Sequence, residues 1–195
     1  SSGWHSTEII SVFRSEHLKA LDAFSRATQG SKPIIAEALP ICNEKECKKL
    51  ALIDEKPGWN NECDLTLLSG PNIGLGNCFA QQTKLNFTGK RSYQAVSALA
   101  AATEGFEPRT QYKVLNRSQF IGRFFGEKEE LLDGYKLAFR TMINVNQERS
   151  LLSAIVPPSF FHVYSITSLS IKSIEDLLYT SGWMTSLPLD FYIKT

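Results

Sequence analysis

The residues whose type and placement could do chemistry in this chain are cations: Lys90, Arg91, Lys113, Arg117, Lys136, Arg140 and Arg149. A lysine offers a compact point charge, whereas the planar guanidinium of arginine can pair through two nitrogens with a phosphate or with the edge of a guanine. Arg140 and Arg149 flank a polar stretch, Asn144-Val145-Asn146-Gln147, which reads as a turn because asparagine tolerates left-handed backbone angles and bonds its own main chain. In a structural alternative the same two arginines pair with carboxylates such as Glu148 and Asp133 and hold the turn in place. Lys90-Arg91 is a basic pair on a turn, open to a phosphate or to solvent alone. Lys113, Arg117 and Arg123 add positive charge ahead of the acidic run Glu127, Glu129 and Glu130.

Other reactive side chains form no constellation. The three histidines are His5, His17 and His162, and none stands at helical spacing from a second metal ligand. No Ser-His-Asp or Cys-His arrangement can be defended, and His17 and His162 both read as packed histidines. The four cysteines, Cys42, Cys47, Cys63 and Cys78, are clustered but contain no C-x-x-C pair; reduced thiols are the expectation, zinc through all four the alternative. Ser69–Asn77 is glycine-rich. Such loops cradle phosphate when they follow a strand and open a helix, but this one lacks the P-loop lysine, and Gly70, Gly74 and Gly76 fit neither nucleotide fingerprint. A surface loop is predicted, with glycines that let its backbone approach a phosphate.

The elements that must position these residues follow from periodicity. In Tyr135–Thr141, Tyr135, Leu137 and Phe139 share one strand face and Lys136 and Arg140 the other, because strand side chains repeat with period 2. Leu151–Val156 is apolar on both faces, which predicts a central strand stopped by Pro157-Pro158. Together they make a hairpin. Thr7–Thr28 steps its apolar residues by three and four, as an amphipathic helix does. Asn43 is placed to cap a short helix over Glu44–Leu52, Gln94–Thr103 is alanine-rich and predicted helical, and Ser173-x-x-Asp176 opens a helix carrying Ile174, Leu177 and Leu178. The predicted fold class is α+β, with a mixed or mainly antiparallel sheet built on the central hairpin and helices at both ends. The division expected is an N-terminal helical segment over 1–32 and a domain over 33–195.

Composition narrows the function classes. Lys and Arg number 21 against 20 Asp and Glu, a net charge of +1, where a stand-alone nucleic-acid binder would show a basic excess. A local patch can still be positive while the total balances. No apolar run approaches the roughly 20 residues of a membrane span, and no leader is recognised, so a cytoplasmic protein is expected.

Three stretches carry a resemblance. Leu85–Tyr93 reads LNFTGKRSY, Tyr135–Pro158 reads YKLAFRTMINVNQERSLLSAIVPP, and Met184–Lys194 reads MTSLPLDFYIK. In this order they resemble the specificity region of bacterial adenine-specific DNA methyltransferases, the large type IIG restriction-modification enzymes and related phage-defence methylases. Phe87, Gly89 and Lys90 match a short Tyr/Phe-x-Gly-Lys segment of that family. The last stretch matches its Asn-Ser-Leu-Pro-Phe-Asp-Tyr-Tyr-x-Arg run, with Thr185 in place of Asn and Lys194 in place of Arg. The resemblance implies a DNA target recognition domain, with double-stranded DNA and a methyltransferase domain or subunit as partners. The catalytic Asn/Asp-Pro-Pro-Tyr motif, an S-adenosylmethionine-binding strand and a nuclease core are all missing from the chain. It is therefore expected to be non-catalytic and without a cofactor of its own; S-adenosylmethionine would belong to the parent protein's methyltransferase domain. The competing expectation is a protein-interaction domain of a restriction or phage-defence system that does not contact DNA.

Overall fold

The computed structural model describes residues 15–27, 33–55, 65–74, 81–83, 93–97, 99, 110–144 and 146–194. It is an α+β structure with helices at both ends. Helix α1 covers Ser15–Ala27, inside the predicted Thr7–Thr28. Four strands form the main sheet: β1 (Ala36–Ala38), β7 (Lys136–Arg140), β8 (Ser153–Val156) and β10 (Ile166–Ile171), in the order β1-β10-β7-β8. Every pairing in it is antiparallel. The smaller pairs are β2 (Ile53–Asp54) with β6 (Lys113–Val114), β4 (Gln81–Thr83) with β5 (Tyr93–Ala95), and a parallel pair, β3 (Thr66–Leu68) with β9 (Phe160–His162). The helices between and after them are α2 (Glu44–Lys49), α3 (Arg117–Phe124), α4 (Ile174–Met184) and α5 (Leu187–Lys194).

The hairpin is present, with β7 and β8 paired from Lys136 opposite Val156 to Phe139 opposite Ser153. Two expectations about it are corrected. β8 is an edge strand, because β10 takes the place on the other side of β7. β7 also has no solvent-facing polar side. Leu137 packs with Ile171 and Leu177 beneath α4, while Ala138 packs with Leu68, Ile73, Ala154, Val156 and Ile166 on the opposite face. A strand covered on both faces buries whatever the period places there, and Lys136 is only 1% exposed.

The largest core cluster lies beside the sheet. Phe120 from α3 meets Phe161 edge-on with ring centroids 5.7 Å apart, and Leu39, Cys42, Leu67, Val114 and Val163 close around them. Local chemistry sets the helix ends. Asn43 accepts from the Lys45 and Glu46 amides, Asn116 from Gln119, and Ser173 from Asp176, each occupying donors that the first turn leaves free. Gly126 ends α3 at φ +56°, a left-handed angle that costs glycine little. Two further expectations change. Gln94 and Ala95 belong to β5, where backbone pairing with β4 outweighs alanine's helix preference; most of the remaining predicted helix lies outside the described residues. On α4 only Leu177 is buried, whereas Ile174 and Leu178 are 54% and 57% exposed, because a single helix stripe meets the sheet.

Candidate nucleic-acid interface

The end of β7 meets two turns. Arg140 donates from Nε to the Gly70 carbonyl at 2.9 Å, and the Gly70 amide donates to Ser165 Oγ at 2.8 Å. The Thr141 amide donates to the Ser165 carbonyl at 3.2 Å, and its hydroxyl to the Tyr164 carbonyl at 3.0 Å. Three segments distant in sequence, the glycine-rich stretch, the end of β7 and the β9–β10 turn, are tied into one rim. The approach is close: a Cβ on Gly70 would stand 3.4 Å from Ser165 Cβ, at the edge of ordinary contact. Gly70–Asn72 forms a single 3-10 turn, closed by Asn72 Oδ1 accepting from the Ser69 amide and hydroxyl. No α-helix follows it through Gly74, so the described part of this loop has no helix terminus to aim at a phosphate.

Arg140 is the predicted cation that this arrangement presents best. It is half-buried, and burial pulls its pKa below the ordinary arginine value. Only Nε is used in the rim, and no ion pair joins Arg140 to a carboxylate among the described residues. Thr141, Met142, Ile143 and Tyr164 around it are exposed.

The other predicted site residues are placed differently. Lys113 lies half-buried in β6 opposite Asp54. Arg117 pairs with Glu129 at 3.0 Å. Lys90 and Arg91 lie outside the described residues, as do Gly76, Cys63 and Cys78. Lys136 is withdrawn from any surface: its ammonium donates to the Leu132 and Gly134 carbonyls at 3.1 and 2.7 Å. Burial pulls its pKa down to about 8, against the pull of Asp133. Lys136→Met is therefore expected to unfold within about 1 kcal/mol of wild type, because relief of the buried charge offsets the two lost hydrogen bonds. Urea unfolding checks this, and a loss of several kcal/mol would show that the two hydrogen bonds outweigh the cost of burying the charge.

Arg149 makes the contact that sequence reasoning missed. Its terminal nitrogen donates to the Thr185 carbonyl at 2.5 Å and lies 3.3 Å from that of Ser186, while Nε lies 3.8 Å from Asp190 Oδ2. Neither Glu148 nor Asp133 is the partner. Asp190, 3% exposed, accepts from the Ser150 and Leu151 amides at 2.7 and 2.9 Å and faces Lys194 at 3.2 Å. Lys194 in turn donates to the Gln147 and Glu148 carbonyls. The segment entering β8 is thus fastened to α5 through one carboxylate. Burial alone would raise the Asp190 pKa, but the two amides and Lys194 outweigh it and hold the carboxyl below its ordinary value.

Cys42 and Cys47 are buried reduced thiols with sulfurs 2.7 Å apart; burial is the main cause that pushes both pKa values up. Among the described residues no group of three or more His, Cys, Asp or Glu is placed to hold a metal ion, and no helix is long and apolar enough to cross a membrane. No family model matches the chain, and no curated protein matches it. What the rim offers chemically is one guanidinium fork, held by its Nε at the end of a paired strand, on turns that carry the hydroxyls of Thr141 and Ser165.

Proposed function

We propose that this chain is a non-catalytic DNA sequence-recognition domain of a bacterial adenine-specific DNA methyltransferase or restriction-modification enzyme, reading its site with the rim around Arg140. The observation that carries the reading is the placement of Arg140. Its Nε is fixed on the Gly70 carbonyl, which orients the fork and leaves the terminal nitrogens for a base edge or a phosphate. Double-stranded DNA and a methyltransferase domain or subunit are the partners of this reading. S-adenosylmethionine and the methyl transfer belong to that other domain. The resemblance supports it through position: Arg149 of one similar stretch and Asp190 of another lie 3.8 Å apart where the segment entering β8 is fastened to α5.

Arg140→Lys in the parent protein tests the assignment. Lysine keeps the charge and can still reach the Gly70 carbonyl, but it loses the fork. If Arg140 reads a base, discrimination at one base pair falls by about 1–3 kcal/mol while the melting temperature stays close to wild type. Competition binding between the recognised duplex and single-base variants reads this directly, at several salt concentrations, since phosphate contacts weaken with salt. A uniform loss across all sequences would make Arg140 a phosphate contact, and no loss at all would remove it from the interface.

A protein-interaction domain is favoured by a different observation. Ile174, Leu178 and Tyr179 on α4, and Leu187 and Tyr192 on α5, are exposed apolar or aromatic side chains. Binding to the methyltransferase domain that survives high salt, with no duplex binding at low salt, would select this reading.

A further inference from the structure

We infer that the cavity between β8 and α4 is a binding pocket for a planar nitrogen heterocycle of the nucleobase kind. Its volume is about 400 Å³, and Arg149, Ser153, Ala154, Ile155, Ser181, Gly182 and Thr185 line it. That size suits a small ring-bearing ligand. The inference stands on the geometry of this cavity and does not depend on the role of Arg140.

The pocket holds polar atoms that the fold leaves unused. Ser153 is fully buried, and its hydroxyl has no hydrogen-bond partner; Arg149 Nε is buried and equally without one. Buried polar atoms are nearly always paired, so two orphans on one cavity point to a missing partner. The edge of β8 adds more. The main-chain amide of Arg140 donates to the Leu152 carbonyl, which makes Arg140 and Leu152 a directly bonded pair of the antiparallel ladder. The alternation of that ladder then turns the amides and carbonyls of Ser153 and Ile155 away from β7. No backbone hydrogen bond from another segment reaches them among the described residues. Each residue shows a donor and an acceptor side by side.

The kind of ligand follows by elimination. An anion is disfavoured because Arg149 already faces Asp190 and two carbonyls, and because the strand edge contributes acceptors. A hydrocarbon would leave the orphaned atoms unpaired. An added peptide strand needs a longer edge than this one. Pro157-Pro158 closes it at one end, and the Asp190 bonds to Ser150 and Leu151 close it at the other. A flat ring with adjacent donor and acceptor matches a single residue's amide and carbonyl, and a further ring acceptor suits Arg149 Nε.

The test uses adenosine and a single-stranded oligodeoxyadenylate as probes, with benzoate and indole as anionic and mainly apolar controls. Binding is read by calorimetry on the full chain. Saturable adenosine binding, at millimolar affinity or better, is expected to exceed that of both controls. Ser153→Ala should weaken it about threefold to tenfold, as loss of one hydrogen bond does, without lowering the melting temperature. Gly182→Leu, at a position where an added Cβ meets nothing within 4 Å, should weaken it tenfold or more. If adenosine binds, a free nucleoside is the source; if only the oligonucleotide binds and Gly182→Leu abolishes that binding, the source is an unpaired base of a strand. Binding of neither probe, preference for benzoate or indole, or affinity unchanged in both variants would overturn the assignment.

Discussion

Asp190→Ala will destabilise the protein by about 3–5 kcal/mol, the range found when one partner of a buried ion pair is removed. The carboxylate serves three donors at once, the amides of Ser150 and Leu151 and the ammonium of Lys194, and lies at ion-pair distance, 3.8 Å, from the guanidinium of Arg149. Alanine leaves the two amides without acceptors, and it leaves an arginine whose side chain is only 12% exposed without its counter-charge. For a chain of this size the change corresponds to a fall in melting temperature of roughly 6–20 °C. Lys194→Ala is the internal comparison. Lys194 is more exposed, so its loss should cost clearly less. The Asp190 pKa is held down in the folded state, so its contribution is complete above the ordinary aspartate value near 4 and is lost as pH falls through the lower folded value. Urea unfolding of the variant at neutral pH decides the matter. A loss below about 1 kcal/mol would mean that the segment entering β8 does not need α5.

A second large effect is expected on mild acidification, and it comes from His162. The ring is 1% exposed, Nε2 has no partner, and Nδ1 lies 3.2 Å from the Val163 carbonyl. Burial pulls its pKa down to about 4, against the smaller opposing pull of that carbonyl. The unfolded chain takes up its proton near pH 6.5, and the folded one resists until pH 4. Stability is therefore lost as pH falls from about 6.5 to 4, and this loss levels off below. The separation corresponds to about 3 kcal/mol. Carboxylates begin to titrate within the same window, so the measurement is a comparison. Denaturation of wild type and His162→Leu at pH 7 and pH 4.5 should give curves that converge by about 2–3 kcal/mol at the lower pH. Parallel losses in the two proteins would show that His162 is not the acid-sensitive group.

How far the sequence was legible depended on the distance over which each feature is determined. The β7–β8 hairpin and the caps at Asn43 and Ser173 rest on neighbouring residues, and all are present. Lys136 was misread because a period-2 pattern assigns faces without saying what covers them. Its aliphatic stem lies on the covered face that Ala138 shares, and its amine ends on carbonyls only a few residues back. Arg149 was read as a cation near a loop, yet its counter-charge, Asp190, is far along the chain. The resemblance contained both residues but said nothing of their contact. The two- and three-residue strands, β1 to β6 and β9, lie below any detectable period. The Arg140 rim was half legible: the glycine-rich stretch and the arginine were both singled out, but only the fold joins Gly70 to Arg140 through Ser165.

The pairing order has a consequence for how the protein is made. β1 finds its partner in β10, β3 in β9, and the Cys42 bridge in Val163, so elements near the start wait for residues 160–171. At about 5–20 residues per second of synthesis, Ala36 leaves the ribosome roughly 7–27 seconds before Ile171. Before residues 160–171 emerge, early apolar residues such as Leu39, Leu67 and Leu68 have no sheet to join. The β7–β8 hairpin forms from local contacts soon after its own residues emerge, and β10 then completes a surface onto which the early strands dock. Nascent chains halted before residue 160 should accordingly be protease-sensitive within 36–55 and 65–74, and those extended past α4 should become resistant in those two stretches in a single step.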